Sequence, residues 1–421
     1  MSDTKNMITD DNPNYWDALY LADELYDQGK YEEAEELYKK IVGEEDETGD
    51  ANAHYGYLLD KLGRYEEAYS CFDRVLYGYA DTSVREGVVC FLGERCCDED
   101  SPYWRWFNDL DMLLVGYLGH CKSIDKEPEI EKILLNYFES KEGYHRNEAR
   151  RQLIQIYGTG KCVLMDREIV SVFGFPNVEK LKAFVAETID DEEGVWDMIN
   201  AFSLDSSEMD EANAKAMEAA LLSVQSDEAH KLANTALFDI YFSGSVYSAF
   251  DGDWYEIPFM KDQHKAAEQL LKIDIESAYK STIIDFEEED ALSVLESAHK
   301  MAPDRADAAF YLFMYVDVYR FAELIREISD DCARDLIAED YAGQLYELCL
   351  CDDEDEYFET YYLALLDFFC KYDPAGEYCD TIKQMLLSAY QFDPSELKNE
   401  EKAEAFAKKY DMELLSEPFD I

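Results

Sequence analysis

A six-residue string, Gly29-Lys30-Tyr31-Glu32-Glu33-Ala34, returns 34 residues later as Gly63-Arg64-Tyr65-Glu66-Glu67-Ala68. A fixed period of this length constrains the fold more than any other feature, because each repeat must be one supersecondary unit that buries its apolar face on a neighbour. The aromatic four places beyond each alanine recurs at the same step, Tyr38 and then Phe72. Upstream, Leu21-Ala22 and Leu25 align with Tyr55-Gly56 and Leu59. Apolar residues three and four apart on both sides of each glycine predict two amphipathic helices joined at the glycine. Ala22 and Gly56 in the first helices, and Ala34 and Ala68 in the second, are small where backbones must approach. The acidic stretch from Gly43 to Gly49 predicts a turn between units.

These residues resemble the tetratricopeptide repeat family over Tyr15 to Leu76. The resemblance implies an all-α fold, a right-handed superhelical α-solenoid of antiparallel helix pairs. The family's closing proline is replaced by Asp46 and Ala80. Further on, Ala291, Leu295, Ala298 and Pro303 reproduce the second-helix spacing, and Ile382, Leu386, Ala389 and Pro394 repeat it with one substitution. A second echo, A-x-x-x-L-x-x-I-Y-x-x-G, runs through Ala149, Leu153, Ile156, Tyr157 and Gly160 and again through Ala233, Leu237, Ile240, Tyr241 and Gly244. It resembles the Sel-one-like repeat, a relative of the tetratricopeptide repeat with a longer turn. After Gly244 a loop is expected over Ser245 to Met260, followed by Asp262-x-x-Lys265-Ala266-Ala267 in a second helix. After Gly160 only Asp166 falls in a matching place.

The expected organisation is a flexible N-terminus over 1–14, a repeat pair over 15–80, diverged helical repeats over 81–230, a Sel-one-like unit with an inserted loop over 231–280, and degenerate repeats over 281–421. In the diverged part, Leu113-Leu114, Tyr117-Leu118 and Cys121 share one helical face, as do Ile133-Leu134 and Tyr137-Phe138. Breaks are expected at Cys96 to Pro102, Phe173 to Asn177, Ser203 to Asp210 and Asp373 to Gly376.

Charge narrows the partners. With 38 Lys and Arg against 95 Asp and Glu, the net charge is −57. Phosphate-backbone binding needs basic side chains to displace counterions, and anionic membranes repel such a surface, so direct nucleic-acid and membrane binding are both excluded. The first fourteen residues lack a basic stretch leading into an apolar run, and no apolar run of about 18 residues occurs anywhere. These features predict a cytoplasmic protein, in which the eleven irregularly spaced cysteines are reduced thiols.

No cofactor, metal or catalytic constellation is legible. A glycine-rich phosphate loop, His-Glu-x-x-His, Gly-x-Ser-x-Gly and Cys-x-x-Cys are all absent. His120-Cys121 is an adjacent pair, and adjacent residues on a helix point apart. Cys349-x-Cys351 precedes Asp352 to Asp355, but a calcium loop needs a glycine at its sharp turn. That run and Asp285 to Asp290 read instead as acidic helix N-termini. Asp251-Gly252-Asp253-Trp254 marks the expected inserted loop, a place for a ligand or for variable surface.

The groove implied by the resemblance is the candidate site. First helices of this family line a concave surface, and the matching positions are Trp16, Leu19, Tyr20, Asp23, Tyr26 and Asp27, then Asp50, Ala53, His54, Tyr57, Asp60 and Lys61. Relatives that clamp acidic chaperone tails present Lys, Asn and Arg there, whereas this chain presents aromatics and carboxylates. The expectation is therefore a non-enzymatic scaffold that binds a basic or amphipathic segment of another protein by charge pairing and cation–π contact. Two other classes stay open: an acidic nucleic-acid mimic or immunity-type protein that neutralises a basic toxin or enzyme, and an enzyme with its site between about Asp81 and Asp227.

Overall fold

The computed structural model describes residues 15–42, 48–96, 98, 100–164, 169–203, 209–247, 254–285, 288–348, 355–392 and 397–419. Two compact units are drawn from Met1–Asp205 with Lys215–Ser223, and from Ser206–Ala214 with Val224–Ile421. The first contains α1 (Tyr15–Asp27), α2 (Tyr31–Ile41), α3 (Asp50–Lys61), α4 (Tyr65–Tyr77), α5 (Thr82–Arg95), α6 (Leu110–Ser123), α7 (Ile130–Ser140) and α8 (Gly143–Thr159). It continues through strands β1 (Lys161–Val163) and β2 (Ile169–Ser171) to α9 (Val178–Thr188) and α10 (Glu192–Ser203). The dividing line runs through α11 (Glu211–Leu221).

The second unit holds α12 (Asp227–Phe242), strands β3 (Ser245–Tyr247) and β4 (Trp254–Glu256), α13 (Gln263–Leu270), α14 (Ile275–Ser281), α15 (Glu288–Met301) and α16 (Ala306–Phe313). After these come α17 (Val318–Glu327), α18 (Asp330–Ala338), α19 (Tyr341–Leu348), α20 (Asp355–Tyr372), α21 (Glu377–Phe392) and α22 (Glu400–Tyr410). Each unit is a series of packed helix pairs: α1 with α2, α3 with α4, α5 with α6 and α7 with α8 in the first, α12 with α13, α15 with α16, α20 with α21 and α21 with α22 in the second. The fold is thus all-α, a solenoid-type array of helix hairpins, with two short β-hairpins added.

The repeated glycines form the expected bends. Gly29 and Gly63 have φ of +72° and +75°, a left-handed conformation that a β-carbon makes costly. In each, the glycine N–H donates three residues back, to Tyr26 or Asp60, and the next N–H donates five back, to Leu25 or Leu59, all at 2.9 Å. The two turns therefore close their helices by the same Schellman-type pattern, which satisfies the last free carbonyls. Ala22, Ala34 and Ala68 are fully buried, and a β-carbon at Gly56 would overlap the Phe72 ring. The small residues are close-packing residues, as the repeat requires.

Leu113, Leu114, Tyr117 and Cys121 on α6, and Ile133, Leu134, Tyr137 and Phe138 on α7, are buried, so those helical faces are core faces. In the second unit Ala291, Leu295 and Ala298 are buried on α15, and Ile382 and Leu386 on α21. Helix α15 starts at Glu288 with Glu288, Glu289 and Asp290 in its first turn. Asp46, Asp166, Pro394, the Asp251–Asp253 acids, and Cys349 to Glu354 lie outside the described residues.

The structure adds a short β-hairpin at the start of the diverged segment Lys161 to Asp227, and it shows that the two I-Y-x-x-G echoes are followed by the same arrangement. Both α8 and α12 end on a left-handed glycine, Gly160 (φ +73°) and Gly244 (φ +69°), and both run directly into an antiparallel hairpin. Cys162 and Val246, central in the first strands, are buried. The carbonyls left over at the helix ends are then used in the same order. Gly160 O accepts from Val172 N (2.8 Å) and Tyr157 O from Asn177 N (2.7 Å); Gly244 O accepts from Ile257 N (2.7 Å) and Tyr241 O from Asp262 N (2.9 Å). Asn177 and Asp262 cap the next helices, accepting from Lys180 N and from His264 N and Lys265 N. Lys180 and Lys265 lie with Nζ 6.0 Å and 4.8 Å from the Tyr157 and Tyr241 rings. The counterpart of Asp262-x-x-Lys265 is Asn177-x-x-Lys180, and the supposed loop after Gly244 is a hairpin one residue longer than its partner.

Candidate functional site

The candidate surface is built by α1, α3 and α5 of the first unit. The 34-residue step continues into α5, although no repeat signature marks that segment: Asp23, Tyr57 and Phe91 occupy one position, Tyr26, Asp60 and Glu94 the next, and Asp27, Lys61 and Arg95 the third. A cleft of about 300 Å³ is lined by Asp23, Tyr26, Asp27, Tyr38, His54 and Tyr57. A neighbouring cleft of about 570 Å³ shares Tyr26 and Tyr57 and adds Asp60, Lys61, Phe91, Glu94, Arg95 and His120. Tyr57 is the wall between them. Its ring lies 4.8 Å from Phe91 and 5.5 Å from Phe72, and burial, with Cys90 nearby, pushes its phenol up to about 12.

Several carboxylates of the candidate set are already engaged. Asp23 Oδ1 accepts from the Tyr38 hydroxyl (2.5 Å) and lies 2.7 Å from His54 Nδ1. Burial pushes the Asp23 carboxyl upward, but the hydrogen bonds from His54 and Tyr38 together outweigh it and hold the group below its ordinary value. Asp60 is buried at 5% exposure, accepts from Tyr103 OH at 2.7 Å, and pairs with the Arg95 guanidinium. Asp60 thus sits at the base of this surface with each carboxylate oxygen already engaged, one by α5 and one by the segment before α6. Leu19 is buried at 3%, on the packed side of α1.

Trp16, Tyr20, Asp27 and Lys61 are exposed, and Asp50, Tyr26, His54 and Tyr57 are half-buried. Trp16 and Tyr20 stand one helical turn apart with ring centroids 6.5 Å apart. Asp50 sits in the first turn of α3, where it complements the helix dipole. The charge of the surface is uneven. In the larger cleft Asp60 and Glu94 face Lys61 and Arg95 and balance, whereas the smaller cleft holds Asp23 and Asp27 with His54 as its one basic group. Asp27 is exposed there and has no ion pair among the described residues. Of these two clefts the smaller is the more acidic.

A second group of carboxylates lies between α6 and α8. Burial, reinforced by Asp111, pushes Glu148 up to about 7, and burial with Asp109 raises Asp111. A raised carboxyl stabilises the fold fully below its unfolded value near 4.5, and that contribution is lost as pH rises through about 7. Glu148→Gln is expected to stabilise the first unit at pH 8 by on the order of 2 kcal/mol, with the gap from the parent closing by pH 4.5. Urea midpoints of both chains across this range measure it, and a constant gap would place the Glu148 carboxylate in water.

Among the described residues no three His, Cys, Asp or Glu side chains converge as a metal site requires, and no helix is long and apolar enough to cross a membrane. Comparison with known proteins adds one family match: residues 25–85 match the tetratricopeptide repeat. No curated protein matches the chain. The solved structure of Naa15/Naa10 bound to HypK-THB aligns over 90% of this chain and 79% of that one, at 13% identity and a TM-score of 0.18, too loose a superposition to carry a parallel.

Proposed function

We propose that this protein is a non-catalytic helical-repeat scaffold that holds a basic segment of a partner protein against the first helices α1, α3 and α5. The observation that carries the reading is the smaller cleft: Asp23 and Asp27 at the edge of Tyr26, Tyr38 and Tyr57, on a chain of net charge −57. An arginine or lysine of the partner entering here gains a carboxylate and aromatic faces together, a combination that favours a cation. The charge-balanced cleft beside it, walled by Tyr57 and Phe91, suits a neutral or apolar neighbour of that cation. Exposed Trp16 and Tyr20 extend the same contact along α1. The overall field steers a basic segment inward at low ionic strength. The two hairpin-bearing units read as Sel-one-like repeats, and the chain as a cytoplasmic adaptor.

The test is binding of fluorescently labelled basic and acidic peptides to the full chain by anisotropy. The basic peptide is expected to bind, and to weaken markedly between about 50 and 300 mM salt as exposed charges are screened. Asp27→Lys is expected to weaken it about ten-fold, or roughly 1.4 kcal/mol. Asp331→Lys, an equal charge change at an exposed position of α18, is expected to leave it within about two-fold. Equal losses from both variants would replace a groove site with attraction to the whole surface.

A further inference from the structure

Cys370 lies in the last turn of α20 and Cys379 in the first turn of α21, on either side of the bend at residues 373–376. Their sulfurs are 3.3 Å apart. The bend is closed by Asp373 N donating to Phe369 O (2.8 Å) and Gly376 N to Asp373 O (3.1 Å), and the Phe369 and Tyr378 rings meet at 5.4 Å. These contacts hold the two thiols face to face. A disulfide needs an S–S separation of about 2.05 Å, so bonding asks for roughly 1.2 Å of closure, within reach of small side-chain rotations. Cys379 is buried, while Cys370 is partly exposed and open to a small oxidant. Lys383, one turn further along α21, is mostly buried and pairs with Asp380 at 2.9 Å; Asp380 first, and Cys379 beside it, favour its charged form, which places an ammonium near the sulfurs.

We infer that Cys370 and Cys379 are a reversible thiol–disulfide site that fastens α20 to α21 when a small-molecule disulfide such as oxidised glutathione is abundant. The Cys370 thiolate attacks one sulfur of the small disulfide. That S–S bond breaks, a mixed disulfide forms, and the departing thiolate takes up a proton. The Cys379 thiolate then attacks the Cys370 sulfur and expels the second small thiol. Two protein thiols are oxidised by two electrons, one small disulfide is reduced to two thiols, and both protons leave with the products. Burial and the hydrogen bond with Cys379 push the Cys370 thiol up to about 11, so the pair rests as thiols near neutral pH and the first attack is slow there. Lys383 stabilises the second thiolate and is a positioning residue for the closing step. Helix α20 also packs on α17, and α21 on α22, so the bond would stiffen a hairpin at the centre of this packing.

The experiment equilibrates the full native chain in buffers from reduced to oxidised glutathione, alkylates the remaining thiols, and digests with trypsin. Cleavage after Lys371 separates the two cysteines, so the bond appears as Tyr372–Lys383 joined to the peptide ending at Lys371, with fragmentation assigning the sulfur. More than half of the chain is expected in the joined form in oxidised glutathione, none after dithiothreitol, and none in Cys370→Ser or Cys379→Ser. Lys383→Met is expected to slow closure several-fold without changing the first mixed disulfide. Exposed Cys90 reports that the oxidant is active. If Cys90 is modified while the pair stays reduced, if Cys370 stops at a mixed disulfide, or if joining needs urea, the inference is overturned.

Discussion

Alanine in place of Gly116 is expected to lower the urea midpoint of the first unit by the equivalent of about 3 kcal/mol, at the upper end of overpacking costs. The reason is the approach of α6 to α5. A β-carbon at Gly116 would overlap Val89 O and stand 2.8 Å from its carbonyl carbon; one at Gly93 would overlap the backbone of Gly116 and Tyr117. These neighbours are backbone atoms, which cannot swing aside as a side chain can, so the helices themselves must separate. Separation exposes or loosens Val88, Val89, Leu92, Leu113 and Tyr117, all buried. Gly119→Ala on the same helix meets only Cys90 Sγ at 3.4 Å and is expected to be neutral or to stabilise by up to about 1 kcal/mol through helix propensity. Because the chain holds two units, the comparison uses a probe of the first unit's own transition. Equal midpoints for Gly116→Ala and Gly119→Ala would contradict the close approach of α5 and α6.

The second large effect is at Asp60. Asp60→Ala is expected to cost about 2 kcal/mol, most of it from the Tyr103 hydroxyl, which is buried and loses its acceptor at 2.7 Å. Arg95 also loses its partner, but its side chain is 45% exposed and regains water, so the ionic part is small. Adding Tyr103→Phe should recover about half of the loss, because removing both ends of a buried hydrogen bond is cheaper than removing one. Denaturation of the two single variants and the double variant gives the coupling. Strict additivity would mean that Asp60 and Tyr103 act independently. The same result bears on the groove: charge reversal at Asp60 weakens the fold before it can report on a partner, whereas Asp27, exposed and unengaged among the described residues, reports on binding alone.

The repeat pair was legible because close packing leaves a residue-level record. A left-handed bend leaves a glycine at 29 and 63, and a helix crossing leaves Ala22, Ala34, Ala68 and Gly56. The I-Y-x-x-G echo was legible for the same reason, since it marks a helix end at Gly160 and Gly244. Its sequel was not. Three-residue strands are too short for alternation to separate them from loop, and Asn177 takes over the capping role of Asp262 with a different side chain. Helix α5 is legible as helix but not as the third member of the 34-residue series, because Cys90 stands where Ala22 and Gly56 stand and the helix crossing has moved one turn on, to Gly93.

The candidate site divides along the same line. The sequence by itself determined which residues share the first-helix positions, that they are aromatic and acidic, and that the chain repels anions, because helical period and net charge are properties of residue order and composition. Only the tertiary structure decided which carboxylates remain available. Asp60 and Arg95 are 35 residues apart, Asp60 and Tyr103 are 43 apart, and Asp23 and His54 are 31 apart. Whether such groups neutralise one another depends on how neighbouring hairpins stack, and a stacking distance of a few ångströms has no signature in any local stretch of the chain.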